Sequence, residues 1–180
     1  MLDLVKAFER VPHRRVVEAA RKHGYNLWLL RLSLASYRLL RAVGVDGAYS
    51  QLLLATRGIT AGSGFATFEL RALLMDVVDD VCKNWKLVSI SLYVDDMVIS
   101  SAGPGMQAPI DVAGATDQAV RHMEDKEGLD LTVSVKKSVT SASSMALALA
   151  TARLSKIRKI KATRNRSCWA RLPVATRSVP

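Results

Sequence analysis

Cysteine, aromatic side chains and long apolar runs are all scarce in this 180-residue chain, and each scarcity excludes something. The two cysteines, Cys82 and Cys168, have no partners at metal-ligand spacing. They read as reduced, incidental thiols, with neither a disulfide framework nor a zinc site behind them. No apolar run approaches the roughly 18 residues a membrane helix needs. Met1-Leu2-Asp3-Leu4 lacks the basic region and apolar stretch of a secretory signal. An intracellular protein with no membrane partner is therefore expected. Aromatics are only 6% and no K/R-G-F-G-F-like run occurs, which argues against a sheet that stacks RNA bases on its face.

What is present describes a globular chain. Hydrophobic residues make up 49% and charged residues 23%, which excludes global disorder. At this length one core is expected, with room for an appendage. The net charge of +10 is unevenly spread. Residues 153–180 hold nine Lys/Arg and no Asp or Glu, leaving 17 basic and 16 acidic groups before them. The body is thus nearly neutral, and the tail suits either contact with a polyanion such as nucleic acid or a solubilising terminus.

The pattern of the body mixes helices and strands. Leu2 to Val5 reads as the end of a strand. Pro12-His13 precedes a helix over 14–23 stopped by Gly24, and Asn26 caps a second with Leu27, Leu30, Leu34 and Tyr37 at helical spacing. Residues 43–54 fit a short hairpin. After the Gly-rich loop 57–64, Leu70, Leu73, Leu74, Val77, Val78 and Val81 form the buried stripe of a long helix. Val88, Ile90 and Leu92 alternate as a strand that returns over 97–100 around a Val94-Asp95-Asp96 turn. A helix is expected over 110–127 and a strand over 129–135; for 145–149 periodicity does not choose between strand and helix. The fold class expected is α+β, a split βαβ (ferredoxin-like) antiparallel sheet with helices on one face.

In that topology Asp3, at the end of the first strand, meets Asp95 and Asp96 at the hairpin tip. Crowded carboxylates repel and are costly to bury without a cation. For oxygen ligands and phosphate substrates that cation is Mg²⁺. Two such ions about 3.5–4 Å apart suit an in-line phosphoryl displacement. Asp-Asp pairs also occur as plain solvated turns. Asp79-Asp80, with Asp76, are read that way, on the polar side of the long helix.

These residues match a family. Tyr93-Val94-Asp95-Asp96 resembles the Y-x-D-D box of reverse transcriptases, the RNA-directed DNA polymerases. The run from Asp3 to His13 is similar to their first catalytic motif in its non-LTR retrotransposon form. Residues 57–63 resemble the motif before the long palm helix, and Gly128-Leu129 with Ser134-Val135-Lys136-Lys137-Ser138 the fourth palm motif. The four motifs stand in the family's order over about residues 2–140.

The resemblance implies a polymerase palm. Asp3, Asp95 and Asp96 are then catalytic residues and ligands of two Mg²⁺ ions, with Mn²⁺ as the substitute. Lys137 is a charge stabiliser or proton donor near the triphosphate; read from the residues alone, it is equally a solvated lysine at a strand end. Phe8 is the steric gate that favours dNTPs, although simple core packing also explains a phenylalanine there. Tyr93 abuts the primer terminus, and Gly62 and Ser63 shape the nucleotide floor. Arg57, Arg158, Lys159 and Lys161 meet nucleic-acid phosphates. The implied partners are an RNA template, a DNA primer and dNTPs. Two departures stand out: Ala61 replaces the family's usual Gln, and Glu9 replaces an Asp. The chain is expected to carry a partial palm over 1–150, without fingers or thumb, followed by a basic tail over 151–180. That expectation keeps two alternatives open beside a polymerase fragment inactive alone. One is a non-catalytic basic nucleic-acid-binding module; the other is a decayed retroelement product.

Overall fold

The computed structural model describes residues 1–60, 62–157 and 160–164. Among the described residues, six helices and three two-stranded ladders make a mixed α+β structure. A short helix, α1 (Ala7–Arg10), leads to α2 (His13–Lys22), which starts directly after Pro12, whose ring presets φ near −72°. Gly24, at φ +68°, ends it, and the Tyr25 N–H closes back on the Ala20 carbonyl at 2.9 Å. Asn26 caps α3 (Leu27–Tyr37) as expected, its side chain accepting from the Trp28 and Leu29 N–H groups. The short hairpin follows as β1 (Gly44–Val45) and β2 (Ala48–Tyr49).

The long helix α4 (Ala66–Asn84) buries Leu70, Leu73, Leu74, Val77 and Val81 completely or nearly so; Val78 is only half-buried. It packs against β3 (Val88–Tyr93), which pairs antiparallel with β4 (Asp96–Ser101). Helix α5 (Gln107–Glu124) contributes Ala115, Ala119 and Met123 to the same core and packs on β4. Val88, Met97 and Ile99 face these helices, while Ser89, Ser91 and Tyr93 are exposed. One covered face and one open face is the alternation the sequence displays.

The hairpin loop is Val94-Asp95 alone, because Asp96 pairs with Tyr93 and opens β4. Residues 129–135 do not form a run of strand. Leu131 and Val133 are buried, but Asp130 takes a left-handed φ of 53° and a turn at Ser134–Lys137 cuts the segment short. Only the Leu4–Val133 bridge remains of the pairing. The apolar positions 145, 147 and 149 lie in a helix, α6 (Met145–Leu154), whose first turn is capped by the Ser144 hydroxyl. Two unforeseen strands, β5 (Val139–Ala142) and β6 (Lys161–Arg164), pair in parallel on either side of α6. A parallel pair needs such a crossover, and its polar residues give no apolar alternation to read. Helix α6 crosses position 150 and β6 ties the start of the basic tail to the body. No helix among the described residues is long and apolar enough to cross a membrane.

Candidate active site

The first residues of the chain lie between β4 and the 132–139 segment. The Leu2 N–H donates to the Met97 carbonyl at 2.7 Å, and the Met97 N–H returns a bond to Leu2 at 3.0 Å. On the other side, the Ser134 N–H donates to the Asp3 carbonyl at 2.7 Å and the Val5 N–H to Thr132 at 2.8 Å. The sequence dictates this placement: Leu2 and Leu4 are buried at 3% and 4% exposure, so the residue between them faces the opposite way. Continuing the Leu2–Met97 register by one residue sets Asp3 directly opposite Asp96. Side chains at such positions lie about 4.5–5.5 Å apart at Cβ, and like charges there destabilise the pair.

The electrostatics follow. The Asp96 carboxyl is held above its usual range, first by burial and then by the Asp95 and Asp3 carboxylates; the N-terminal ammonium and Lys137 oppose the shift. The Met1 ammonium, lowered by its own burial, donates to the Val139 carbonyl at 2.9 Å. Lys137 Nζ stands 3.7 Å from Asp3 Oδ1 on an exposed side chain. That contact is an ion pair too long to be a hydrogen bond, so Asp3 Oδ1 is a buried oxygen without a hydrogen-bond partner. The Asp3 backbone is fixed by its N–H donating to Ser138 Oγ at 3.2 Å. Val94, beside Asp95, holds φ at 58°, a costly conformation for a β-branched residue.

The 57–59 segment docks on the same stretch that carries Asp3. Gly58 donates to the Val11 carbonyl and Ile59 to the Phe8 carbonyl, both at 2.8 Å. Gly58 is required there: its φ is +92°, and a Cβ would sit 3.1 Å from the Glu9 carbonyl oxygen. Phe8 is half-buried and packs against the core. Tyr93 is 78% exposed on the open face beside the hairpin loop.

Gly62 and Ser63 precede α4, and the Ser63 hydroxyl lies 3.2 Å from the Tyr37 phenol oxygen, to which it can donate. Arg57 is engaged with Asp130 at 2.5 Å. Lys161 is exposed at the start of β6, whereas Arg158, Lys159 and Ala61 lie outside the described residues. Asp76, read as part of a solvated face, is instead bound by Lys22 at 2.7 Å and His23 at 2.9 Å. Burial alone would raise its carboxyl; these two contacts outweigh burial and hold it below the usual range.

Sequence reasoning passed over a second buried group. Glu69 is 1% exposed and accepts from the Tyr37 hydroxyl at 2.9 Å, while its Oε1 has no partner. Burial, first, and then this contact push the Tyr37 phenol up to about 12. The signal was available: Glu69 stands four residues before Leu73, on the apolar stripe.

The donor set fits a hard divalent cation in kind, being all oxygen with one oxygen orphaned. It is not a closed cluster, because no group of three His, Cys, Asp or Glu among the described residues already converges to hold an ion. No protein-family model matches the chain, and no curated protein is similar to it in sequence.

Proposed function

We propose that the chain carries the palm site of an RNA-directed DNA polymerase of the non-LTR retrotransposon kind, in a ferredoxin-like palm. The observation that carries this reading is the Leu2–Met97 pairing, which sets Asp3 opposite Asp96 with Asp95 at the adjoining loop. The hairpin with one helix-covered face and the docking of 57–59 beside the Asp3 segment support it further.

Asp3, Asp95 and Asp96 would hold two Mg²⁺ ions. When bound, these supply charge neutralisation at the carboxylates and polarisation of phosphoryl oxygens. The chain's own groups do the rest. Lys137, already drawn to Asp3, stabilises negative charge at the triphosphate or returns a proton to the leaving group. Tyr93 presents its ring to the primer terminus from the open face. The Phe8 ring excludes a 2′-hydroxyl, and the small residues Gly62 and Ser63 let template and nucleotide approach the backbone. Arg57 and the basic residues after 153 meet phosphates.

The test is primer extension by the full chain on an RNA template with a DNA primer, dNTPs and Mg²⁺. Incorporation that chelation abolishes and Asp95→Asn lowers at least 100-fold is expected. The nine Lys/Arg of 153–180 favour one second reading, a non-catalytic nucleic-acid-binding module. Absence of incorporation, with salt-sensitive RNA binding indifferent to Asp3, Asp95 and Asp96 substitutions, would establish that module instead. Neither activity would mark a decayed retroelement product.

A further inference from the structure

Between α3 and the start of α4 lies a cleft of about 250 Å³, with Leu32 and Phe65 in its apolar lining and Ser33, Tyr37 and Ser63 among its hydroxyls. A phenol has one proton to give, and that of Tyr37 goes 2.9 Å to Glu69 Oε2. This is the one hydrogen bond the buried Glu69 carboxyl makes among the described residues, since Oε1 has no partner. The Tyr37 oxygen is then an acceptor, and the donor that meets it is the Ser63 hydroxyl at 3.2 Å. Ser33 spends its own proton on the Leu29 carbonyl at 2.9 Å. Tyr37 is firmly seated. The buried His13 ring lies 6.2 Å from its ring, centre to centre, and His13 Nε2 donates to the Gly58 carbonyl at 2.6 Å.

The direction of this relay decides what Ser63 offers. A freely turning serine presents a ligand with a proton or a lone pair; with its proton turned inward it presents lone pairs only. The phenol, pushed up to about 12, keeps its proton through the working range, so the relay does not reverse with pH. Packing alone does not call for it. Phenylalanine and methionine would fill the same space without burying an oxygen that lacks a partner. We propose that Tyr37 and Glu69 are positioning residues for Ser63, and that the relay from Ser63 through Tyr37 to Glu69 fixes the serine oxygen as an acceptor for an amino or hydroxyl group of the bound nucleotide. The inference rests on the reading of Ser63 as part of the nucleotide floor, and it adds two residues that act through that serine.

Primer extension by the full chain over a range of dNTP concentrations tests this, beside binding of fluorescently labelled dATP read by anisotropy. Tyr37→Phe and Glu69→Met are expected to raise the dNTP KM and weaken binding about three- to tenfold, the worth of one hydrogen bond, with kcat unchanged. Glu69→Gln keeps an accepting oxygen for the phenol and is expected to stay within about twofold of the parent chain. A purely structural role has another signature: loss of folded chain lowers the apparent kcat and leaves KM alone. In a Ser63→Ala background, Tyr37→Phe is expected to add nothing, because no serine remains to orient. In a chain that extends primers, unchanged KM and affinity for Tyr37→Phe, or its full effect persisting beside Ser63→Ala, would overturn the relay and leave the polymerase reading standing. A parent chain that neither extends a primer nor binds dATP would overturn that reading and the relay with it.

Discussion

At the scale of single residues, the Asp96 carboxyl is crowded by two others. It faces Asp3 across the strand pair and adjoins Asp95. In metal-free buffer at neutral pH, Asp96→Asn is expected to stabilise the fold by about 0.2–1 kcal/mol, the scale of a like-charge pair across strands. Urea unfolding checks this, and a loss of stability would show that the carboxylates do not repel. Asp76 behaves oppositely. Its carboxyl is depressed by Lys22 and His23, so the folded state binds that proton less tightly than the unfolded chain does. Its stabilisation is therefore complete above the ordinary aspartate range, near pH 4, and disappears as pH falls through the lower folded value. Asp76→Asn is expected to cost about 0.5–1 kcal/mol at neutral pH and progressively less in acid, read from unfolding curves at several pH values. The sequence exposed Asp3, Asp95 and Asp96 because apolar alternation brackets each of them. It hid the Asp76 contacts, since His23 and Asp76 are 53 residues apart and only tertiary packing joins them.

At the scale of elements, legibility tracked apolar periodicity. Helices α2, α3 and α4 and the β3–β4 hairpin fall where the spacing of Leu, Val and Ile places them, with limits shifted by a residue or two. The β5–β6 pair was invisible because VTSA and KATR carry no alternating apolar face. The strand expected over 129–135 failed because local turn geometry at Asp130 and Ser134 overrode an alternation that burial still respects. Packing adds a constraint no pattern reveals. A Cβ on Gly114 in α5 would lie 2.1 Å from the Trp85 ring, which is itself tied to Gln118 at 2.9 Å. Gly114→Ala is expected to destabilise by about 1–3 kcal/mol despite its better helix propensity, as thermal melting would register. In the hairpin loop, Val94→Gly is expected to relieve the left-handed strain and stabilise by about 1 kcal/mol. A neutral or destabilising result from chemical denaturation would mean that the loop stores no strain.

At the scale of the whole molecule, the chain joins a compact core to two unsatisfied surfaces. The core is built around α4, α5 and the hairpin. One surface is electrostatic, the Asp3–Asp95–Asp96 edge with its orphaned oxygen. The other is apolar, the outer side of α3, where Trp28 and Leu32 stand exposed. At the acidic edge the crowded carboxylates repel, and a bound cation would relieve that repulsion. Mass action then makes stability depend on that ligand. The acidic edge was legible because a motif and a topology pointed to the same carboxylates. The exposed side of α3 was not, because it depends on which side of that helix packs against α2.

The proposed site requires the amino-terminal aspartate and the hairpin aspartates to share a divalent cation. Titrating the chain with Mn²⁺ and counting free ion by electron paramagnetic resonance tests it most directly. The chain is expected to bind up to two Mn²⁺ ions, competed by Mg²⁺, with Asp3→Asn and Asp95→Asn each losing at least tenfold in affinity. Identical titrations for the parent chain and Asp3→Asn would contradict the shared site.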